Sequence, residues 1–167
     1  MPEKLMSTAD ATPPGGLPWP DALLPGRLRR RYKRFLAEVV LDTGGTITAH
    51  CTNSGSMKAC SEPGRRVYLS PQNNPRRKLK YTWEIIDMPQ SLVGVNTNIP
   101  NRLVKKALAD EAIAELTGYE RIRPEVTVGQ NRSRLDLMLE KTTGEFGYIE
   151  IKNCTLVENR FASFPDA

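Results

Sequence analysis

Two runs of alternating residues, joined by a polar turn, restrict what this chain can fold into more than any other stretch. Over residues 134–140, Leu135, Leu137 and Leu139 alternate with Arg134, Asp136, Met138 and Glu140. Over residues 146–152, Phe146, Tyr148 and Glu150 fall on one parity. A period of two is the signature of a strand with one wet face and one buried face. Between the runs, Lys141-Thr142-Thr143-Gly144-Glu145 has the composition of a hairpin turn. Pairing the strands through that turn brings Asp136 and Glu150 to the same end of the sheet. Glu150 and Lys152, two residues apart, share a face. Two carboxylates and a lysine so placed can hold a divalent cation, with Mg2+ the best suited, and steady a developing charge. Charged residues on the wet face of an ordinary hairpin have the same spacing, so both readings stay open here.

An Asp followed by Glu-x-Lys resembles the PD-(D/E)xK nuclease superfamily. That resemblance implies Asp136, Glu150 and Lys152 as catalytic residues, with Asp136 and Glu150 as metal ligands. The preceding sequence fits an α+β unit. Pro100-Asn101 leads into an apolar stripe of Val104, Ala107, Leu108, Ala112 and Leu116 at helical intervals. Asn98 or Asn101 suits the start of that helix and Gly118 its end. Ile122 to Val128 is the next strand, and Thr155-Leu156-Val157 extends the last one. Members of the superfamily often supply a helix glutamate to the metal. This chain has Lys105-Lys106-Ala107 there, which leaves Glu125 as the candidate substitute.

Charge separates the two halves. Residues 1–90 carry 14 basic and 8 acidic side chains, and residues 91–167 carry 10 and 11. The excess in the first half calls for a polyanionic partner, with nucleic acid first. It is concentrated in Arg27–Arg34, where six of eight residues are cationic. Like charges in such number repel one another unless an anion neutralises them, which makes phosphate contact the better explanation. Tyr32 either stacks on a base or belongs to the core. A second cluster is Arg76, Arg77, Lys78 and Lys80.

Residues 1–23 read as a disordered tail rich in Pro and Gly. Short strands are expected from Phe35 onward: 35–41, 46–51 after a Gly44-Gly45 turn, 65–70, and 78–86 with Leu79, Tyr81, Trp83 and Ile85 on one parity. Strands of that length, with turns between them, suit a small barrel or sandwich, and an OB-like β-barrel over 24–90 fits the length and the basic surface. A second unit then covers 91–167, opening at Leu92-Val93-Gly94-Val95. His50 is the one histidine, and with Cys51 and Cys60 it matches no zinc spacing. Three cysteines and no secretion signal suggest reduced thiols, and no apolar run is long enough for a membrane span. A cytoplasmic protein without a membrane partner is the expectation.

Longer segments carry a second resemblance. They are Arg31-Tyr32-Lys33-Arg34-Phe35, Ala49-His50-Cys51-Thr52-Asn53-Ser54-Gly55-Ser56-Met57 and Lys78-Leu79-Lys80-Tyr81-Thr82-Trp83-Glu84. Val93-Gly94-Val95-Asn96-Thr97, Pro100-Asn101, Ser133-Arg134-Leu135-Asp136, Ile149-Glu150-Ile151-Lys152-Asn153 and Phe164-Pro165-Asp166-Ala167 follow in order. In these the chain is similar to the sugar fermentation stimulation protein A (SfsA) family. The resemblance implies an N-terminal OB-fold domain coupled to a nuclease-like α/β domain. It also implies non-specific DNA binding and a regulatory role in sugar (maltose) metabolism. Family chains continue past the Phe-Pro-Asp-Ala segment into a further helix and strand, so the second domain is expected to be incomplete here, whether by fragmentation or natural truncation. DNA binding through Arg29, Arg30, Arg31, Lys33, Arg34, Arg76, Arg77, Lys78 and Lys80 is the leading expectation. A Mg2+-dependent nuclease is the alternative.

Overall fold

The charge run at 27–34 folds as the second part of a strand, to Tyr32, and the turn that follows it. Leu28 is its one buried apolar side chain, with Arg27, Arg29 and Arg30 turned outward. In a computed structural model, residues 14–19, 22–130, 132–158 and 161–164 are described, with backbone alone at 157 and 158. Their secondary structure is mixed α+β. They divide into two compact units: Trp19–Asn98 with residues from 153 onward, and Ile99–Lys152 with residues 14–18.

The first unit is built on six strands: β1 (Leu24–Tyr32), β2 (Leu36–Leu41), β3 (Thr46–His50), β4 (Arg66–Pro71), β5 (Tyr81–Met88) and β6 (Ser91–Gly94). Their order is β3-β2-β1-β4-β5-β6, and a parallel pairing of β3 with β5 at His50 and Thr82 closes the first five into a barrel. This is the expected OB-like barrel, with β1 as a strand added ahead of those expected from Phe35 onward. The inside is filled by Leu28, Val39, Val67, Leu69, Trp83 and Ile86, all within 1% of complete burial. Trp83 Nε1 donates to Ile85 O at 3.0 Å, which satisfies its polar end inside an apolar core. At Gly26 a Cβ would come within 2.7 Å of both Val39 Cγ1 and Val40 O, so the close approach of β1 to β2 requires glycine. Gly44 and Gly45 have φ of +96° and +86°, which lets the β2–β3 turn close in four residues.

Three expectations shift. The strand read over 78–86 begins at Tyr81, and residues 78–80 lie in the β4–β5 loop. Its buried residues are Thr82, Trp83, Glu84 and Ile86 rather than one parity, because the β4–β5 register slips between Tyr68 and Leu69. Where the sequence placed a break at residue 90, β6 pairs with β5 and Val95 is fully buried in the barrel core.

The second unit has helix α1 (Ile99–Ala109), a 3-10 turn at Ala114–Leu116, and a three-stranded antiparallel sheet. Its strands are β7 (Arg121–Val128), β8 (Ser133–Glu140) and β9 (Phe146–Ile149), in that order. Leu108, Leu137 and Leu139 form its core, with Val104, Ile113, Leu116, Ile122 and Ile149 against them. The β8–β9 hairpin closes where the sequence placed it: Lys141 N donates to Glu145 O at 3.0 Å, and Gly144 has φ +84°. The helix is shorter than its apolar stripe. It stops at Ala109, and the chain turns at Glu111, whose φ is +53°, well before Gly118.

Of the expected tail, residues 1–13 and 20–21 lie outside the described residues. Gly15 is buried and donates its N–H to Asp110 Oδ2 at 2.8 Å. Asp110 also pairs with Lys106, and this contact with Lys106 is the main reason its carboxyl sits below the usual range. The expected extension of the last strand through Thr155-Leu156-Val157 does not form. β9 ends at Ile149, and Leu156–Glu158 (β10) pairs instead with Phe161–Ser163 (β11). Residues 165–167 of the Phe-Pro-Asp-Ala segment lie outside the described residues.

A candidate nucleic-acid interface and an acidic hairpin end

The barrel brings its two basic stretches to one row. Tyr32 pairs with Leu36, Leu36 with His50, His50 with Thr82, and Thr82 with Ser70. Each lateral step between paired strands is about 5 Å. The β1–β2 turn, with Lys33 and Arg34, leaves one end of this row. The β4–β5 loop, with Arg76, Arg77, Lys78 and Lys80, leaves the other. Arg77 spans the middle: its Nη2 lies 3.4 Å from His50 Nδ1 and donates to Thr82 Oγ1 at 3.2 Å, and its Nη1 donates to Gln72 Oε1 at 2.5 Å. Burial, and then the neighbouring Arg77, push the His50 pKa below its ordinary value. The ring is therefore neutral at pH 7 and can accept the Arg77 bond.

The other eight basic residues fall into three kinds. Arg29 and Arg30 converge on one carboxylate: Arg29 Nη1 donates to Glu38 Oε1 at 2.9 Å and Arg30 Nε to Glu38 Oε2 at 2.8 Å. A register slip between Leu28 and Arg30 turns both outward and allows this. The bond from Arg30 is the main reason that the Glu38 carboxyl sits below its usual range. Arg31 points elsewhere. Its guanidinium donates to Asn53 O at 2.8 Å, Gly55 O at 2.8 Å and Ser56 O at 3.2 Å, so it holds the loop after β3 in place. Lys33, Arg34, Arg76 and Lys78 are exposed, and Lys80 Nζ donates to the carbonyls of Asn74 and Pro75. Tyr32 is neither core nor a free platform: it is half-buried, with the Arg30 guanidinium 4.9 Å from its ring centre.

At the hairpin, Asp136 and Glu150 stand one register step past the last β8–β9 pair, Leu137 with Ile149. On the other side the printed register steps from Pro124–Leu137 to Val126–Leu135, so Glu125 stands across from Asp136. Glu125 has φ +55°, and its carboxylate is taken by Arg134. That swings it out of the role of substitute ligand. Asp136 is oriented by two donors: Asn101 Nδ2 reaches Oδ1 at 2.8 Å, and the Ile151 N–H reaches Oδ2 at 2.7 Å. Lys152 Nζ contacts Glu150 Oε1. Asn101 is expected from the sequence at the start of the helix and within a Pro100-Asn101 segment shared with the family, and nothing in its spacing points to this contact. Among the described residues, no three His, Cys, Asp or Glu side chains form a group that could hold a metal. Two carboxylates whose oxygens keep lone pairs still fit a hard cation that takes one or two protein carboxylates and fills its other positions with water.

Cys51 and Cys60 are buried thiols, and burial pushes the pKa of each up. No helix among the described residues is long and apolar enough to cross a membrane.

Comparison with known proteins places both units in one family. A family profile described as "SfsA N-terminal OB domain" matches residues 30–95, and one described as "Sugar fermentation stimulation protein RE domain" matches residues 98–167. A sugar fermentation stimulation protein homolog of Geobacter metallireducens is 54% identical over 148 residues, covering 89% of this chain and 63% of the relative. One from Synechocystis is 48% identical over 151 residues, covering 89% and 63%. The solved structure of Pyrococcus furiosus SfsA in complex with Ca2+ superposes with a TM-score of 0.75 at 28% identity, covering 87% of this chain and 61% of that one. The chain thus spans less than two thirds of the length of these relatives.

Proposed function

From a chain that belongs to the sugar fermentation stimulation protein family, we infer a DNA-binding protein whose barrel grips the phosphate backbone without reading sequence. The observation that carries this is the row from Tyr32 to Ser70, which sets the cationic β1–β2 turn and the cationic β4–β5 loop around His50 and Arg77. In OB-fold barrels these two loops flank bound oligonucleotides and oligosaccharides. The charge decides between those ligands. Arg76, Arg77, Lys78 and Lys80 have no salt bridge to a carboxylate among the described residues, whereas an uncharged sugar would gain nothing from them. Lys33, Arg34, Arg76, Lys78 and Lys80 contact phosphates, Arg77 is held ready by His50 and Thr82, and Arg29 and Arg30 add the surplus over their shared Glu38. Arg31 serves the loop rather than the ligand. Such binding releases condensed cations, so affinity falls steeply with salt. Titrating a labelled DNA with the protein at several salt concentrations tests it. A log–log slope of about −4 or steeper is expected for some five phosphate contacts, and a flat response would overturn it. The family's association with sugar fermentation suggests that this binding serves the regulation of sugar, including maltose, metabolism.

A second reading is favoured by the hairpin. Asp136 and Glu150 stand one register step past a common pair, and the Pyrococcus furiosus relative was solved with Ca2+. Asp136 and Glu150 would hold Mg2+, which supplies Lewis-acid polarisation of a phosphate and an activated water when bound. Asn101 and the Ile151 N–H fix the Asp136 carboxylate in one orientation. The Lys152 ammonium, beside Glu150, offsets negative charge developing on phosphate oxygens. Plasmid cleavage that requires Mg2+ and disappears in Asp136→Ala is the expected result. Cleavage unchanged by that substitution would end this reading and leave the first untouched.

A further inference from the structure

Phe35 lies outside the barrel core, at the tip of the β1–β2 turn, with 52% of its surface exposed. The turn that presents it is unusual. Lys33 and Arg34 have φ of +49° and +62°, a pair of left-handed residues that hairpins ordinarily build from Asn-Gly or Asp-Gly. The tip is nonetheless tied down. The Phe35 N–H donates to Lys33 O at 2.8 Å, and the Phe35 carbonyl accepts from Cys51 N at 2.9 Å. A large apolar ring is thus held in water between a strained dibasic turn and the closing end of β3. Exposed rings beside fixed cations form stacking platforms for bases, since every base has a π-face and every nucleotide a phosphate. The neighbouring aromatic, Tyr32, is already covered by Arg30. Duplex bases are already stacked on one another and present edges, so a ring of this kind stacks without an unstacking cost only where a base is unpaired.

We propose that Phe35 stacks on an unpaired base and that the barrel's preferred ligand is therefore a single-stranded polynucleotide, with Lys33 and Arg34 on the flanking phosphates. This rests on the DNA-binding reading above and adds the class of strand to it.

The test compares a labelled oligo-dT with a duplex of the same length, at one salt concentration, for the wild-type chain, Phe35→Ala and Phe35→Trp. The wild type binds the single strand more tightly than the duplex. Phe35→Ala weakens single-strand binding about tenfold, within the range for loss of one base–aromatic stack, and leaves duplex binding within about twofold on the same scale. Phe35→Trp keeps the preference, and oligo-dT quenches its emission beyond any quenching of Trp19 and Trp83 in the wild type. A merely structural role for the ring would not produce that quenching. If all three proteins bind both ligands with an unchanged ratio, or Phe35→Ala weakens both equally, the stacking role is wrong and DNA binding stands. If the ring serves a protein partner, oligo-dT adds no quenching in Phe35→Trp, which overturns the proposal as well. If no polynucleotide binds at any salt concentration, the reading beneath it fails first.

Discussion

The barrel's basic row and the acidic end of the β8–β9 hairpin handle charge in opposite ways. Around the row, Arg77 and Lys80 are positioned by neutral groups. Arg77 rests on His50, Gln72 and Thr82, and Lys80 on two backbone carbonyls. Where a carboxylate does appear, it is one Glu38 for two arginines. The positive charge is held in place but left available. At the hairpin the acids already have donors from their own chain: Asn101 and the Ile151 N–H for Asp136, Lys152 for Glu150, and Arg134 for Glu125. A polyanion meets little competition at the first region, while a cation at the second must share or displace existing contacts. Ranking DNA binding above nuclease chemistry follows from that difference.

The largest effect that can break the comparison concerns the cation placed apart from the rest. Arg31→Ala removes three charge-assisted bonds to the loop after β3, at a cost of roughly 3 kcal/mol in unfolding free energy. Measured by denaturant unfolding, that loss should come without a change in the salt slope of DNA binding. A changed slope with intact stability would make Arg31 a phosphate ligand instead. Next in size is the combined substitution of Lys33, Arg34, Arg76 and Lys78 by alanine. It should flatten the log–log salt dependence by about 3 to 4 while thermal unfolding stays near wild type, since these side chains are exposed. Asp136→Asn should leave that slope unchanged, which separates the two regions directly.

A smaller effect appears with pH. The folded protein holds the His50 pKa below its ordinary value, so the unfolded chain takes up this proton first. Stability should therefore decline as pH falls below about 6.5, and His50→Gln should remove that part of the decline. Glu38 acts lower. Its pKa is depressed, so its contribution is complete above about 4.5 and is lost as pH falls through the folded value. Thermal melts across pH 3–8 would resolve the two windows. The smallest effect is Glu38→Gln, which frees Arg29 and Arg30. DNA binding should tighten a few-fold and its salt slope should steepen by roughly 1 to 2.

The sequence made the hairpin legible and hid the strand that matters most to the barrel. In β8 the leucines recur at every second residue and Gly144 marks the turn, so the register and the shared end of Asp136 and Glu150 followed. In β1, Leu28 alone points inward among arginines, and the register slip at Arg29 destroys the period. A core strand therefore read as a charge run. The same kind of slip scrambled the parity of β5. The roles of individual basic residues were illegible for a different reason. Arg31 and Arg34 are the same chemical group three residues apart, and only the loop that returns past Arg31 distinguishes them. Phe35 read as the first residue of a strand because nothing local reveals that Lys33 and Arg34 take left-handed backbone.

The most direct measurement is a residue-by-residue map of backbone amide shifts on adding a short DNA to the labelled protein. The account predicts that changes concentrate at Lys33–Phe35, His50 and Asn74–Lys80, with smaller ones at Arg29 and Arg30. Changes centred on residues 121–152, or spread evenly over both units, would contradict it.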